Sequence, residues 1–160
     1  MKVKLLSDGA QLPKKATEFA AGFDLYVPAN TVIKPGRSVV PLDISLAIPN
    51  GFEGQIRPRS GFSAKGMEGY PYENEESINN LGGTTGRYDA DVLLGTIDSD
   101  YRGCVGVLVN SHETAPFIIE KGTRIAQLVI APYAIVEIEV TDNLNETTRG
   151  DGGFGHTGIK

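Results

Sequence analysis

Nine residues past the middle of the chain, Gly95-Thr96-Ile97-Asp98-Ser99-Asp100-Tyr101-Arg102-Gly103, set a carboxylate and an aromatic ring in turn chemistry between two apolar runs. The segment reads as a hairpin. Asp98 could act there as general base toward a water molecule. Tyr101 could pack against a sugar, and the hairpin's N–H and C=O groups could read the edge of a pyrimidine. The same residues also suit a plain polar turn, because Asp-Ser-Asp is common turn chemistry.

Anion-binding chemistry appears at two further places. Arg57-Pro58-Arg59-Ser60-Gly61-Phe62-Ser63 closes an apolar run and is expected to turn at Gly61, which sets the Arg59 guanidinium and the Ser60 hydroxyl at a sheet edge as a phosphate cradle. In Arg149-Gly150-Asp151-Gly152-Gly153-Phe154-Gly155-His156-Thr157-Gly158, successive glycines let backbone N–H groups converge on an anion. Arg149 adds a planar fork, Thr157 a hydroxyl, and Phe154 a ring that could cover a flat base. The bland alternatives are a solvated basic turn and a mobile glycine-rich terminus. Gly153 to Gly158 also spells the G-x-G-x-x-G dinucleotide pattern, but only Ile159 and Lys160 follow, so the helix that pattern requires cannot form. Two polar residues lie in apolar surroundings: Asp24 within Ala21-Gly22-Phe23-Asp24-Leu25, and Gln127 within Gly122-Thr123-Arg124-Ile125-Ala126-Gln127-Leu128-Val129. If buried, each must find partners.

The elements that position these residues are short. Helical periodicity is scarce, and runs rich in Val, Ile, Leu, Phe and Tyr predict strands at 3–6, 23–27, 37–40, 42–48, 52–57, 92–97, 105–109, 117–119, 125–131 and 135–140. Pro35-Gly36, Pro49-Asn50-Gly51 and Lys121-Gly122 punctuate them. Many short strands at this spacing indicate an all-β sandwich, jelly roll or small barrel. Residues 1–148 are read as that domain. Within it, 66–90 is expected to be a long excursion from the sheet with a helical turn near 75–79, and 149–160 a flexible glycine-rich tail.

Composition bounds the function. A formal charge of −5 argues against a broad basic groove for nucleic acid, yet is compatible with one small anionic ligand. The single cysteine, Cys104, can form no internal disulfide, and two histidines cannot build a usual zinc site. No run approaches the roughly 18 apolar residues of a membrane helix, and the N-terminus has no signal-like apolar stretch. A cytoplasmic setting without membrane association is expected.

Taken in order, AGFDL, RPRSG, GTIDSDYRG, GTRIAQLVI and RGDGGFGHTG resemble the five motifs of the trimeric dUTP diphosphatase family over nearly the whole chain. The resemblance implies a jelly-roll-like β-barrel of the β-clip kind, assembled as a homotrimer with shared active sites. It implies hydrolysis of dUTP to dUMP and pyrophosphate by attack of water on the α-phosphorus, which keeps uracil out of DNA and supplies dUMP for dTMP synthesis. Carried over by position, Asp98 holds the attacking water and Asp24 supports the site from beside it. The backbone at Gly95 and Ile97 reads uracil, and Tyr101 packs under the deoxyribose and refuses a 2′-hydroxyl. Arg59, Ser60, Gly61 and Gln127 hold the phosphates. Arg149 reaches the γ-phosphate, Phe154 stacks on uracil, and Gly155, His156 and Thr157 close on the triphosphate. Mg2+ is implied as cofactor, held by phosphates and water with no direct protein ligand.

The chain departs from the family pattern twice. The stretch from Ser60 to Asp98 is longer than usual, the extra length being 66–90, which reads either as a tolerated surface insertion or as a contact for a protein partner. Where many members carry an asparagine before the hairpin, this chain has Asp89-Ala90-Asp91-Val92. Val92 thus stands on the uracil side and leaves discrimination against dTTP and dCTP open. Two rivals were weighed. A dCTP deaminase on the same scaffold needs a glutamate on the strand after the hairpin, but 104–110 contains no carboxylate and the first glutamate is Glu113. A non-catalytic trimeric binding protein would show a damaged site, yet Asp98, Tyr101, Arg149 and Phe154 are all present.

Overall fold

Alternation dictates the strands. In Gly-Val-Leu-Val-Asn-Ser at 106–111, Val107 and Val109 are fully buried while Leu108 lies on the outer face. The computed structural model describes residues 1–153. In chain order the elements are β1 (Lys2–Leu5), β2 (Gly22–Tyr26), β3 (Thr31–Ile33), β4 (Gly36–Pro41), β5 (Ile44–Ala47) and β6 (Phe52–Arg57). Then follow α1 (Ser60–Lys65), β7 (Met67–Pro71), α2 (Glu76–Asn79), β8 (Gly86–Tyr88), β9 (Ala90–Val92), β10 (Gly95–Ile97), β11 (Gly106–Ser111), β12 (Phe117–Ile119) and β13 (Arg124–Pro132).

The strands form antiparallel sheets in the orders β10-β6-β13-β2, β3-β12-β7-β8, β4-β11-β9 and β1-β5. Their inner faces meet in one core that includes Leu25, Ile33, Val107, Phe117, Ile119 and Leu128. The fold is all-β and jelly-roll-like, as expected.

Four local expectations change. The apolar run 92–97 is not one strand: β9 and β10 join different sheets, with Leu93 and Leu94 between them. Gly61 lies inside α1 rather than at a turn. Much of 66–90 belongs to the sheet, since β7 pairs with β12, Met67 is fully buried, and Tyr88 stacks on Phe117 with centroids 4.2 Å apart. What projects is the stretch 72–85, carrying α2. Residues 135–140 form no strand, and Ile138 and Val140 are each 93% exposed. A strand needs a partner edge, and this segment pairs with none among the described residues.

Candidate active site

The central hairpin splits between sheets. β10 pairs with β6, whereas β11 pairs with β4 and, from Val109 onward, with β9. The Leu93 N–H still donates to the Leu108 carbonyl at 2.9 Å. Beyond it the two arms diverge and enclose a cleft of about 210 Å3 lined by Leu93, Gly95, Ile97, Asp98, Tyr101 and Gly106. Strand edges that face a cleft without a pairing strand present amide donors and acceptors to whatever enters. Val92 is buried in the core and does not line the cleft; Leu93 does.

Hydrogen bonds fix the turn at the cleft's end. The Arg102 guanidinium donates from Nη1 to the carbonyls of Ser99 at 2.7 Å and Tyr101 at 2.8 Å. The Ser45 hydroxyl, on β5, donates to the Arg102 carbonyl at 2.6 Å. Tyr101 donates its phenolic hydrogen to the Cys104 carbonyl at 3.1 Å. Gly103 makes room for that contact, because a Cβ there would stand 2.3 Å from the Tyr101 hydroxyl oxygen. The ring is thereby held as one wall of the cleft, and the Asp98 side chain stands exposed beside it.

A second group forms around Asp24 on β2, which is only 8% exposed. Arg59 Nε lies 3.0 Å from Asp24 Oδ1, and Arg124 Nη1 lies 3.3 Å from Oδ2. Arg59 also donates to the Arg124 carbonyl at 3.2 Å. Gln127, paired with Asp24 in the sheet, donates its amide to the Pro58 carbonyl at 2.9 Å. Gly22 lies close against that amide: a Cβ there would come within 2.5 Å of Gln127 Oε1. Ser60, exposed at the start of α1, follows Arg59 directly.

The structure therefore brings Asp24, Arg59 and Gln127 together, with Ser60 and Gly61 following Arg59. It separately brings together Gly95, Ile97, Asp98 and Tyr101. Within one chain it does not join the two groups, so Asp24 does not stand beside its own Asp98. Arg149 is exposed in a turn, its Nε donating to the Gly152 carbonyl at 2.7 Å. Phe154, Gly155, His156 and Thr157 lie outside the described residues. Sequence reasoning missed Arg124, Arg102, Cys104 and Gly106. The first two lie within the quoted motifs, but the contacts that single them out come from sheet register and turn geometry. Among the described residues no group of three or more His, Cys, Asp or Glu could hold a metal ion, and no helix is long and apolar enough to cross a membrane.

The dUTPase family profile matches residues 8–78 and 86–158, leaving a gap within the projecting stretch. A deoxyuridine 5'-triphosphate nucleotidohydrolase of Syntrophotalea carbinolica is 43% identical over 162 aligned residues, covering 99% of this chain and 97% of that one. A protein of the same name from Solanum lycopersicum is 40% identical, covering 99% of this chain and 81% of that one. Among solved structures, Staphylococcus bacteriophage 80alpha dUTPase with dUpNHpp is similar at a TM-score of 0.79 and 27% identity, covering 99% and 98% of the two chains.

Proposed function

The chain belongs to the dUTPase family and hydrolyses dUTP to dUMP and pyrophosphate, and we propose that it does so as a homotrimer with shared sites. Each site would combine the Asp24, Arg59, Gln127 group of one protomer with the Asp98, Tyr101 hairpin of a second and the 149–160 tail of a third. One observation carries this reading: two chemically complementary groups exist in every chain, on opposite edges of the same sheet. The apolar arm gives independent support. Ile135, Val136, Ile138, Val140 and Leu144 are all exposed, a stripe that a lone soluble chain does not normally leave in water.

In this reading uracil enters the cleft between β10 and β11 and meets backbone groups at Gly95, Ile97 and Gly106. The Tyr101 ring lies under the deoxyribose and leaves no room for a 2′-hydroxyl. Asp98 orients a water and takes its proton as that water attacks the α-phosphorus. Arg59, Ser60, Gly61 and Gln127 of the neighbouring protomer hold the phosphates, and Arg149, Phe154, Gly155, His156 and Thr157 close over the nucleotide. Positioning and charge neutralisation supply most of the rate. Mg2+, when bound, neutralises phosphate oxygens of the substrate. Both Asp24 oxygens are already engaged by arginines, so the donor set fits an ion carried on phosphates and water rather than in a protein cage. Any protein partner of 66–90 would meet the projecting 72–85. The lone Cys104 fits a reducing cytoplasm.

Pyrophosphate release measured side by side for dUTP, dCTP, dTTP and UTP tests the proposal, together with sedimentation of the protein. Release from dUTP with Mg2+ by a trimeric species is expected. Ammonia release from dCTP would instead favour the deaminase, and an active monomer would end the shared-site reading.

A further inference from the structure

We propose that Arg124 is a second phosphate-binding arginine of this site, aimed into it by a β-bulge. Arg124 and Gln127 are three positions apart on β13, and a regular strand would send their side chains to opposite faces. The observed register pairs Gln127 with Asp24 and Ala126 with Leu25, then shifts, so that Arg124 pairs with Tyr26. The extra residue, Ile125, stays fully buried. Asp24 and Tyr26 share one face of β2, and directly paired residues share a face of the sheet. The shift therefore brings Arg124 round to the face of Asp24 and Gln127. Redirecting a side chain beside a site is what a bulge does.

The charges say what the redirected group is for. Arg59 alone would neutralise Asp24. The second guanidinium leaves the buried carboxylate with an excess positive charge beside Ser60 and Gln127, and the Arg124 side chain remains 51% exposed. A guanidinium carries five N–H donors, and one of Arg124's contacts Asp24 among the described residues. The others are available to a polyanion, and a planar fork suits phosphate oxygens. Asp24 then acts as a positioning residue, holding one arginine on each oxygen. The assignment rests on the dUTPase reading and adds to it the residue that grips the phosphates beyond the first.

The test measures binding of dUMP and of the non-hydrolysable dUpNHpp to the full-length wild-type protein, Arg124→Gln and Arg124→Lys, with melting temperatures alongside. For Arg124→Gln, affinity for dUpNHpp should fall roughly 10- to 100-fold, the loss of a charged hydrogen-bonding group, while affinity for dUMP moves far less. Arg124→Lys keeps a charge on Asp24 but loses the fork and should fall in between. If Arg124→Gln does not fold, the lysine variant carries the same comparison. Equal losses for the two nucleotides, or none, would make Arg124 a merely structural counterion and overturn the proposal. Wild-type protein that binds neither nucleotide would overturn the dUTPase reading, and this assignment with it.

Discussion

Asp24 lies on β2 and Asp98 directly follows β10, the two edge strands of one four-stranded sheet. Three interstrand spacings separate them, roughly 14 Å at about 4.8 Å each. A single chain cannot apply both carboxylates to one reacting phosphate.

That separation predicts complementation. Asp98→Asn and Arg59→Ala should each lose turnover by orders of magnitude while keeping the fold. Co-refolding the two in equal amounts should restore about a quarter of wild-type activity, because random mixing pairs an intact hairpin with an intact arginine at that frequency. A mixture as inactive as its parents would show that each chain builds its own site.

Tyr101 separates ring from hydroxyl. Tyr101→Phe removes one exposed hydrogen bond, to the Cys104 carbonyl, and should change turnover of dUTP only several-fold, in line with about 1 kcal/mol. Tyr101→Ala removes the wall itself and should narrow the gap between dUTP and UTP. Unaltered discrimination in the alanine variant would take the sugar contact away from this residue.

Two truncations separate the tail from the arm. Ending the chain before Arg149 should abolish most hydrolysis and leave the trimer and melting temperature unchanged. Ending it after Tyr133 should also break the assembly, since it removes the exposed apolar arm. Trimers that persist in the shorter chain would require another surface to hold them.

The projecting stretch allows a clean deletion. Replacing 73–84 with a short linker should leave turnover and melting close to wild type, because the removed residues lie outside the core. Met67→Ala, by contrast, should cost roughly 2–5 kcal/mol, as expected for truncating a fully buried side chain. Lost turnover on deleting 73–84 would give that stretch a part in the site.

His112 ties the strand ends of β9 and β11 through Asp91, its Nε2 lying 2.8 Å from Oδ2, with Asn110 beside it at 3.5 Å. The hydrogen bond to Asp91 and the charges of Asp89 and Asp91 raise its pKa above 6.5 against a smaller opposing effect of burial. A raised histidine pKa stabilises the folded state fully below the unfolded value and loses that contribution as pH rises through the folded value. The melting gap between wild type and His112→Gln should therefore be open near about pH 5.5 and closed by about pH 9. A gap independent of pH would exclude the ion pair as its source.

Most of the fold was legible because alternation and turn residues mark strands directly. The Gly106–Ser111 strand and the Lys121-Gly122 turn needed no tertiary knowledge. Residues 135–140 alternate just as well, yet pairing depends on an edge that this chain does not supply. Met67 misled in the opposite direction, since the polar residues after it hid a strand anchored by one fully buried side chain. At the site, Asp98, Tyr101, Arg59 and Gln127 were visible as residue types in unusual settings. Arg124 was not, because its direction depends on a one-residue shift in register that leaves no trace in local sequence.

The exposed arm also sets how output scales with expression. A newly made chain carries an adhesive stripe from Ile135 to Leu144, and its siblings are the natural cover. Near the assembly threshold, halving synthesis would remove more than half of the working enzyme.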